Sequence, residues 1–287
     1  MHLKPGKETV MIIPDLQCPF EHPDALAFAC WARDKYNPTI IVNIGDEIDM
    51  HALSDYDHDP DGLSAGDELK KAIKHLSGWY REFPVTNVCT SNHTARIFRR
   101  AFKYGIPRAY LRDYADFMKA PEGWQWEDSF EIDGVLYIHG EGFSGATGAT
   151  KAAHAFMQPT VIGHLHSHAG IQYYANKKEL IYGFNTGCLI DVNAYAFNYG
   201  KLYPIKPVLG IGLVVKGVPQ FIPMLLDEKG MWAYRNQYKS PKKYSYICPS
   251  CGSFNVEKRG YSRTYNKKAA RIRCMDCDKW SQIDAGQ

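Results

Sequence analysis

Side chains suited to metal binding stand at the ends of five successive strand-like segments of this sequence. They carry carboxylate, amide or imidazole groups, and they are Asp15, Gln17, Asp46, Asn92, His139, His164 and His166. Because sites in open α/β sheets gather at the carboxyl ends of the strands, the five loops are predicted to converge. Oxygen and imidazole groups together are typical ligands of divalent cations. The spacing therefore predicts one metal centre built from five loops.

Each of these loops has an ordinary interpretation when it is taken alone. An Asp after a strand commonly forms a turn or caps a helix, and His139 fits a hydrogen-bonded residue at a strand edge. His164 and His166 are more specific, because alternate residues of an extended segment point to the same side. The succession of all five loops in this order favours a shared metal centre over five unrelated loops.

The first half of the chain alternates between the elements that would position these loops. Apolar runs at 10–13, 39–44 and 85–90 predict buried strands, and segments 24–36 and 67–81 predict the helices between them. This β-α-β-α-β order implies right-handed crossovers and a largely parallel inner sheet.

The second half contains more antiparallel signals. Asp133-Gly134 between apolar residues predicts a hairpin over 130–138, and strand pairs dominate 170–223. Between them, 147–157 is predicted to be a helix and 160–162 a short strand. The sequence thus predicts an α/β fold with two sheets packed in a layered sandwich.

The five motifs, taken in order, resemble those of the calcineurin-like metallophosphoesterase superfamily. They are D-x-Q at 15–17, G-D-x-x-D at 45–49, N-H at 92–93, H-G at 139–140 and G-H-x-H at 163–166. The superfamily includes Ser/Thr phosphatases, purple acid phosphatases, cyclic-nucleotide phosphodiesterases and double-strand-break repair nucleases. The resemblance covers about residues 8–225 and implies a four-layer α/β/β/α sandwich that holds two metal ions.

The resemblance also implies a role for each residue. One ion would bind Asp15, Gln17, Asp46 and His166, and the other would bind Asp46, Asn92, His139 and His164. Asp46 would bridge the two ions, whose charge would activate a water for in-line attack on phosphorus and clamp the phosphate. His93 would stabilise the transition state or protonate the leaving oxygen, and Asp49 would orient His93.

Two departures from the family pattern bear on the chemistry. Gln17 stands where the family usually has His, and the harder amide oxygen favours Mn²⁺ or Mg²⁺, with Fe or Zn as alternatives. The other interpretation is that Gln17 does not bind metal. Met50 stands where the Ser/Thr phosphatases carry a phosphate-binding Arg, which argues against that subgroup. Substrate contacts are expected from Arg96, His51 and His168, although each could instead be a solvated loop residue.

A second metal site is predicted near the C-terminus. Cys248 and Cys251 form one C-x-x-C pair, and Cys274 and Cys277 form another after 22 intervening residues. This pattern resembles a zinc ribbon, in which four thiolates bind a structural Zn²⁺ tetrahedrally. Because a module of this size cannot build an adequate core, the zinc would supply folding energy. We therefore expect a domain over 1–238 and a basic zinc ribbon over 239–287.

Charge is distributed unevenly between these two parts. Residues 239–287 hold 11 Lys or Arg against 4 Asp or Glu, which gives +7, so the net charge of +3 leaves −4 for the rest. Cations neutralise phosphates, and the interleaved Tyr and Phe rings could stack on unpaired bases. The C-terminal module is therefore expected to bind DNA or RNA. The other interpretation is a solvated charged face that docks onto a protein.

Composition limits the remaining possibilities. With 45% hydrophobic and 23% charged residues the chain is globular, and it contains no apolar run long enough to span a bilayer. The first residues lack the apolar run of a signal peptide, so a cytoplasmic location without membrane partners is expected. The leading hypothesis is a two-metal phosphodiesterase or nuclease. The rivals are a phosphatase acting on phosphoproteins or nucleotides, and a degenerate scaffold that has lost its metals.

Overall fold

A computed structural model describes residues 5–55, 61–194, 204–238, 256–264, 267–274 and 278–284. The chain forms two compact units, Met1–Tyr238 and Lys239–Gln287. Within the described residues, no helix combines the length and the apolar character needed to cross a membrane.

The strands and helices can be numbered in chain order. The strands are β1 (Thr9–Ile13), β2 (Ile40–Asn43), β3 (Thr86–Cys89), β4 (Trp124–Glu127), β5 (Phe130–Ile132), β6 (Val135–Ile138), β7 (Thr160–Ile162), β8 (Ala169–Ala175), β9 (Leu180–Thr186), β10 (Gly210–Val215), β11 (Val218–Pro223), β12 (Val256–Thr264), β13 (Lys267–Cys274) and β14 (Trp280–Asp284). The helices are α1 (Ala25–Tyr36), α2 (Ala65–Glu82), α3 (Arg96–Lys103), α4 (Tyr114–Met118) and α5 (Gly148–Phe156).

The first unit is a mixed α/β structure with two mixed sheets. One sheet has the order β11-β10-β1-β2-β3-β4, in which β1 to β4 are parallel and β10 pairs antiparallel with β1. The other has the order β5-β6-β7-β9-β8, in which β6, β7 and β9 are parallel. The parallel arrangement of β1 to β3 agrees with the crossovers predicted from α1 and α2.

Apolar side chains from both sheets form one shared core. Val10 and Val42 of the first sheet pack in the same buried cluster as Tyr137, Val161 and Phe184 of the second. All five are at most 2% exposed, so each sheet turns an apolar face toward the other. This packing brings the carboxyl ends of strands from both sheets close to each other.

The edge strand β4 was not predicted from the sequence. Its four residues, Trp124–Glu127, pair in parallel with β3. Trp124 is buried, and its indole N–H donates to the Phe83 carbonyl over 2.8 Å. Such a short segment is specified mainly by this tertiary contact, because four residues carry little periodic signal.

The described part of the second unit is a three-stranded antiparallel sheet. β13 pairs with β12 on one side and with β14 on the other. Cys274, at the end of β13, is fully buried. The other three cysteines of the predicted zinc site, Cys248, Cys251 and Cys277, lie outside the described residues.

Candidate metal centre

The five motif loops meet at one edge of the two packed sheets. Asp15, Asp46 and Asn92 follow β1, β2 and β3 of the first sheet, while His139 and His164 follow β6 and β7 of the second. Because all five strands run parallel within their sheets, their carboxyl ends place these residues together. The first unit therefore concentrates its ligand-type side chains where the two sheets meet.

Five of these side chains form two groups that could hold a metal ion. One group is Asp46, His139 and His164, the other is Asp15, Asp46 and His166, and the ligand atoms of each group lie within 4.8 Å of one another. Asp46 belongs to both groups. The structure thus offers two adjacent cation sites that share one carboxylate.

The two oxygens of Asp46 face different groups. Its Oδ1 lies 3.4 Å from His139 Nε2, and its Oδ2 lies 3.4 Å from the Gln17 side-chain nitrogen. The backbone N–H of His93 also donates to Oδ1, over 3.2 Å, which fixes the carboxylate plane. With only 1% of its surface exposed, Asp46 has its carboxylate fixed between the two groups.

Asp15 and Gln17 form one side of the centre with His166. Asp15 Oδ2 lies 2.9 Å from His166 Nε2 and accepts the His164 N–H over 2.9 Å. Gln17 Nε2 lies 3.4 Å from His166 Nε2, while Gln17 Oε1 is buried without a hydrogen-bond partner in the described structure. A half-turn of the amide would exchange the two atoms and direct Oε1 toward Asp46 and His166. Asp15 and His166 therefore fit a cation, whereas Gln17 would be an oxygen ligand only in the flipped orientation.

His139, Asn92 and His164 form the other side. His139 Nδ1 lies 3.1 Å from the Ile44 carbonyl and donates to it, which leaves Nε2 as the ring atom that would face a cation. Asn92 Oδ1 lies 2.7 Å from His139 Nε2, and the His139 and His164 rings are 5.1 Å apart. Burial, together with the nearby His139, lowers the pKa of His164. His164 is thus suited to bind a cation as a neutral ligand.

The charge balance of the pocket also fits cations. Asp15 and Asp46 are at most 1% exposed, and in the described part of the chain their ion-pair partners are histidines, without Lys or Arg. Burial alone would raise the pKa of Asp46, but the charges of His139 and His93 outweigh burial and lower it. Buried carboxylates need compensating positive charge, which divalent ions at the two sites would provide.

The backbone around the centre is bent into rarely populated conformations. Gln17, Asp46 and His164 have φ values of 51°, 52° and 64°, in the left-handed region that costs non-glycine residues energy. Gly45 precedes Asp46 with φ of 107°, and a Cβ there would lie 2.8 Å from His139 Nδ1. A Cβ on Gly163 would overlap Asp15 Oδ1. Gly45 and Gly163, which precede Asp46 and His164, therefore make room for other ligand-type side chains.

His93 is held beside the centre by two partners. Its Nδ1 lies 2.7 Å from Oδ1 of Asp49, the carboxylate that is expected to orient it. Its Nε2 lies 3.8 Å from Asp46 Oδ2. Burial lowers the pKa of His93, but the charge of Asp46 and the contact with Asp49 outweigh burial and raise it. Arg96 contacts both His93 and Asp49, with Nη2 3.0 Å from His93 Nε2 and Nη1 2.7 Å from the Asp49 carbonyl oxygen.

The three expected substrate residues lie in different surroundings. Arg96 borders a cleft of about 340 Å³ that reaches Asn92 and His164, but its guanidinium is occupied by His93 and Asp49. The backbone N–H of His51 donates to Glu68 Oε1 over 2.7 Å, and His168 lines a separate hollow, 3.0 Å from Ser167 Oγ. Their roles as substrate contacts remain predictions.

Two buried acids near the centre were not singled out from the sequence. Glu47 is fully buried and accepts the Trp126 indole N–H over 2.9 Å, and burial raises its pKa to about 7. Glu68 of α2 accepts the backbone N–H groups of His51 and Ala52 and so fixes the turn after Asp49. Glu47 pairs with Trp126, 79 residues along the chain, and Glu68 pairs with backbone groups 16 and 17 residues away, so no local sequence signal marks either acid.

Comparison with known proteins gives little independent information. No protein-family model matches the chain, and no curated protein matches it significantly. Among solved structures, the chain resembles the structure of Vacuolar Protein Sorting 29 from Cryptosporidium parvum, with a TM-score of 0.36 and 10% identity over 96% of this chain and 98% of that one. Because this TM-score is too low to carry an argument, function must be inferred from the chain's own side chains.

Proposed function

We propose that the chain is a phosphoesterase that uses two divalent metal ions, preferably Mn²⁺, and hydrolyses phosphodiester bonds in DNA or RNA. The observation that carries this proposal is the Asp46 carboxylate, which directs one oxygen to each of two ligand groups. The ordered motifs that resemble the calcineurin-like metallophosphoesterase superfamily support it, and so do the two packed sheets of the first unit, which we propose to be the inner layers of a four-layer α/β/β/α sandwich. Two bound cations would supply Lewis-acid charge and an activated water for attack on phosphorus.

The chain's own residues would orient the ligands and handle the proton. Asp15, Asp46 and the imidazoles of His139, His164 and His166 are positioned before any substrate arrives, which lowers the reorganisation needed for catalysis. His93 is the residue placed to stabilise charge on phosphate oxygens or protonate the leaving group, with Asp49 holding its Nδ1. Arg96 supports the same pair and thereby acts as a positioning residue.

A diester substrate is favoured over a monoester by the cleft next to the centre. The cleft of about 340 Å³ runs from Asn92 and His164 to three cations and the two carboxylates that pair with them, namely Arg99 with Glu141, and Arg100 and Lys103 with Asp55. Cations beyond the scissile phosphate suit a chain that carries further phosphates on either side. A phosphatase with a protein-docking ribbon remains the rival, and it would not require these additional cations.

The C-terminal module is proposed to bind one structural Zn²⁺ and to deliver the enzyme to nucleic acid. Support comes from the spacing of Cys248, Cys251, Cys274 and Cys277 and from the +7 charge of residues 239–287. A zinc stoichiometry of one that survives mild chelation, and that is lost in Cys274→Ser, would support the zinc site. Unchanged oligonucleotide affinity after that loss would overturn the delivery role.

The experiment that tests the enzymatic proposal compares two small substrates. In Mn²⁺, the full chain is expected to hydrolyse bis(p-nitrophenyl) phosphate, a diester, faster than p-nitrophenyl phosphate, a monoester. Asp46→Asn should abolish both activities, whereas Asp116→Asn, an exposed carboxylate on α4, should retain them. Preference for the monoester would favour the phosphatase, and absence of both activities in Mn²⁺, Mg²⁺, Fe²⁺ and Zn²⁺ would contradict the proposal.

A further inference from the structure

We propose that α3 and the segment after it bind an unpaired nucleobase and its neighbouring phosphates, so that the substrate is single-stranded next to the cleaved bond. This inference rests on the proposed function and names its substrate class. It depends on three features of residues 96–112, namely exposed rings, a one-sided charge and an apolar hollow that connects with the metal centre.

Large aromatic rings are exposed in and after α3. Phe102 is 86% exposed, Tyr104 73% and Tyr110 81%, and within the eight residues of α3 only Ala101 is buried. Exposed apolar groups that cluster on a surface commonly mark a binding site. Rings that contribute so little to the core are available to stack against a ligand.

The same segment is uniformly basic. Residues 96–112 contain six Arg or Lys and no Asp or Glu. Arg99 pairs with Glu141 over 2.6 Å and Arg108 pairs with Asp113 over 2.8 Å, but all four side chains are more than 50% exposed, and Lys103 lies 3.8 Å from the exposed Asp55. Exposed ion pairs of this kind are weak and can exchange their carboxylates for phosphates. Positive charge interleaved with rings is complementary to a polyanion that carries aromatic bases.

A hollow on this surface could receive one base. It has a volume of about 380 Å³, and we call it the α3 hollow; its lining residues are Phe98, Arg99, Phe102, Ile106, Arg108 and Leu111. The Arg108 guanidinium lies 3.6 Å from the centre of the Phe98 ring, which leaves a flat charged face at the edge of the apolar floor. Apolar walls with a few cations suit a planar base attached to a phosphate backbone.

Arg99 connects the α3 hollow to the metal centre. It lines the hollow and also the cleft that contains Asn92 and His164. A strand with its scissile phosphate at the metal centre could therefore place the next phosphate on Arg99 and the attached base in the hollow. A base inside a duplex has both faces covered by its neighbours, so ring stacking favours unpaired bases.

The test compares normal and base-free oligonucleotides of equal charge. In a His93→Ala background, which should slow cleavage on the order of 10²-fold, the full chain is expected to bind oligo(dT) or oligo(U) roughly 10-fold tighter than an abasic strand of the same length. The same normal strand should also bind tighter than a blunt duplex. Phe102→Ala should lower the ratio of normal-strand to abasic-strand affinity by roughly 10-fold, and Phe102→Trp should keep the ratio of the original chain. Comparison of oligo(dT) with oligo(U) distinguishes DNA from RNA as the source of the base.

A matched control is Phe156→Ala, which removes a half-exposed ring at the end of α5, away from the carboxyl ends of the strands. It should leave the preference for normal strands unchanged. Equal affinity for normal and abasic strands, tighter binding of the duplex, or an unaltered preference in Phe102→Ala would each overturn the inference.

The proposed function has a separate readout in the hydrolysis of bis(p-nitrophenyl) phosphate, which contains no nucleobase. If this diester is cleaved while no oligonucleotide binds at low salt, the proposed base site is wrong but the phosphoesterase proposal stands. An acidic protein would then be the better ligand for the basic surface of α3. If the diester is not cleaved although normal strands bind better than abasic ones, the base site is supported and the enzymatic proposal fails.

Discussion

The candidate metal centre and the α3 hollow lie on the same unit and differ in nearly every physical respect. At the centre, Asp15, Asp46 and His139 are at most 2% exposed, and their orientation is fixed by backbone amides and neighbouring side chains. At the hollow, Phe102 is 86% exposed, and the ion pairs of Arg99 and Arg108 are exposed as well. The metal centre is therefore a rigid set of ligand-type side chains, whereas the hollow is an exposed and adaptable surface. Arg99 lines both the cleft beside the centre and the hollow.

The largest expected effect comes from removing the charge of Asp46, the carboxylate that both cation sites share. Asp46→Asn should reduce diester hydrolysis by at least about 10³-fold, because the bridge between the two cation sites supplies several kcal/mol of transition-state stabilisation. Kinetics in Mn²⁺ together with metal analysis would check this expectation. Binding of single-stranded oligonucleotide should persist, and its loss would mean that centre and hollow are not separate.

His93→Ala should affect catalysis while leaving the metal sites intact. We expect kcat to fall on the order of 10²-fold, since proton transfer by a positioned histidine typically contributes at least this much. Mn²⁺ affinity measured by titration calorimetry should stay within error of the original chain, because His93 is not among the ligand groups. A parallel loss of metal would assign His93 a structural role instead.

Gly163→Ala tests whether the centre is as closely packed as its burial indicates. The added methyl group would overlap Asp15 Oδ1 and the Ile44 side chain, so Mn²⁺ affinity should fall by roughly 10-fold. The overlap should also cost about 1–3 kcal/mol of stability. Thermal unfolding and calorimetry would measure both effects.

Gly66→Ala is the matched control for this substitution. Gly66 lies in α2, where a Cβ meets no atom within 4 Å, and alanine favours a helix by about 0.5–1 kcal/mol over glycine. It should therefore leave metal affinity unchanged. Normal metal binding in Gly163→Ala would show that the centre tolerates displacement of Asp15.

The smallest expected effect concerns Arg99 at the α3 hollow. Glu141→Gln removes the carboxylate that pairs with Arg99, leaving the guanidinium available to phosphate. Oligonucleotide affinity should rise roughly 2- to 5-fold, because exposed ion pairs contribute only about 0.2–1 kcal/mol. Fluorescence anisotropy at several salt concentrations would detect the change. Weaker binding would place Glu141, rather than Arg99, in contact with the ligand.

Several elements of the fold could be predicted because their pattern is local. The apolar runs that became β1, β2 and β3 and the helices α1 and α2 follow from composition and period alone. The strand β4 could not, because Trp124 is fixed by Phe83 at a distance of 41 residues along the chain. Short strands depend on partners that no local window contains.

The candidate site divides in the same way. Ligand-type residues such as Asp46 and His139 were visible as residue types at the ends of predicted strands, but their geometry was not. The proton on His139 Nδ1 is set by the Ile44 carbonyl, a backbone atom that no sequence motif shows. Arg96 was expected at the substrate, and the structure places its guanidinium on His93 and Asp49. Long-range partners decide which of several chemical roles a residue can take.

The central claim is that Asp46 bridges two cation sites, and anomalous diffraction tests it most directly. Crystals grown in Mn²⁺ should show two anomalous peaks at the manganese edge, one beside Asp46, His139 and His164 and the other beside Asp15, Asp46 and His166. Both peaks should disappear in Asp46→Asn. A single peak that Asp46 does not contact, or no peak at this edge of the sheets, would contradict the account.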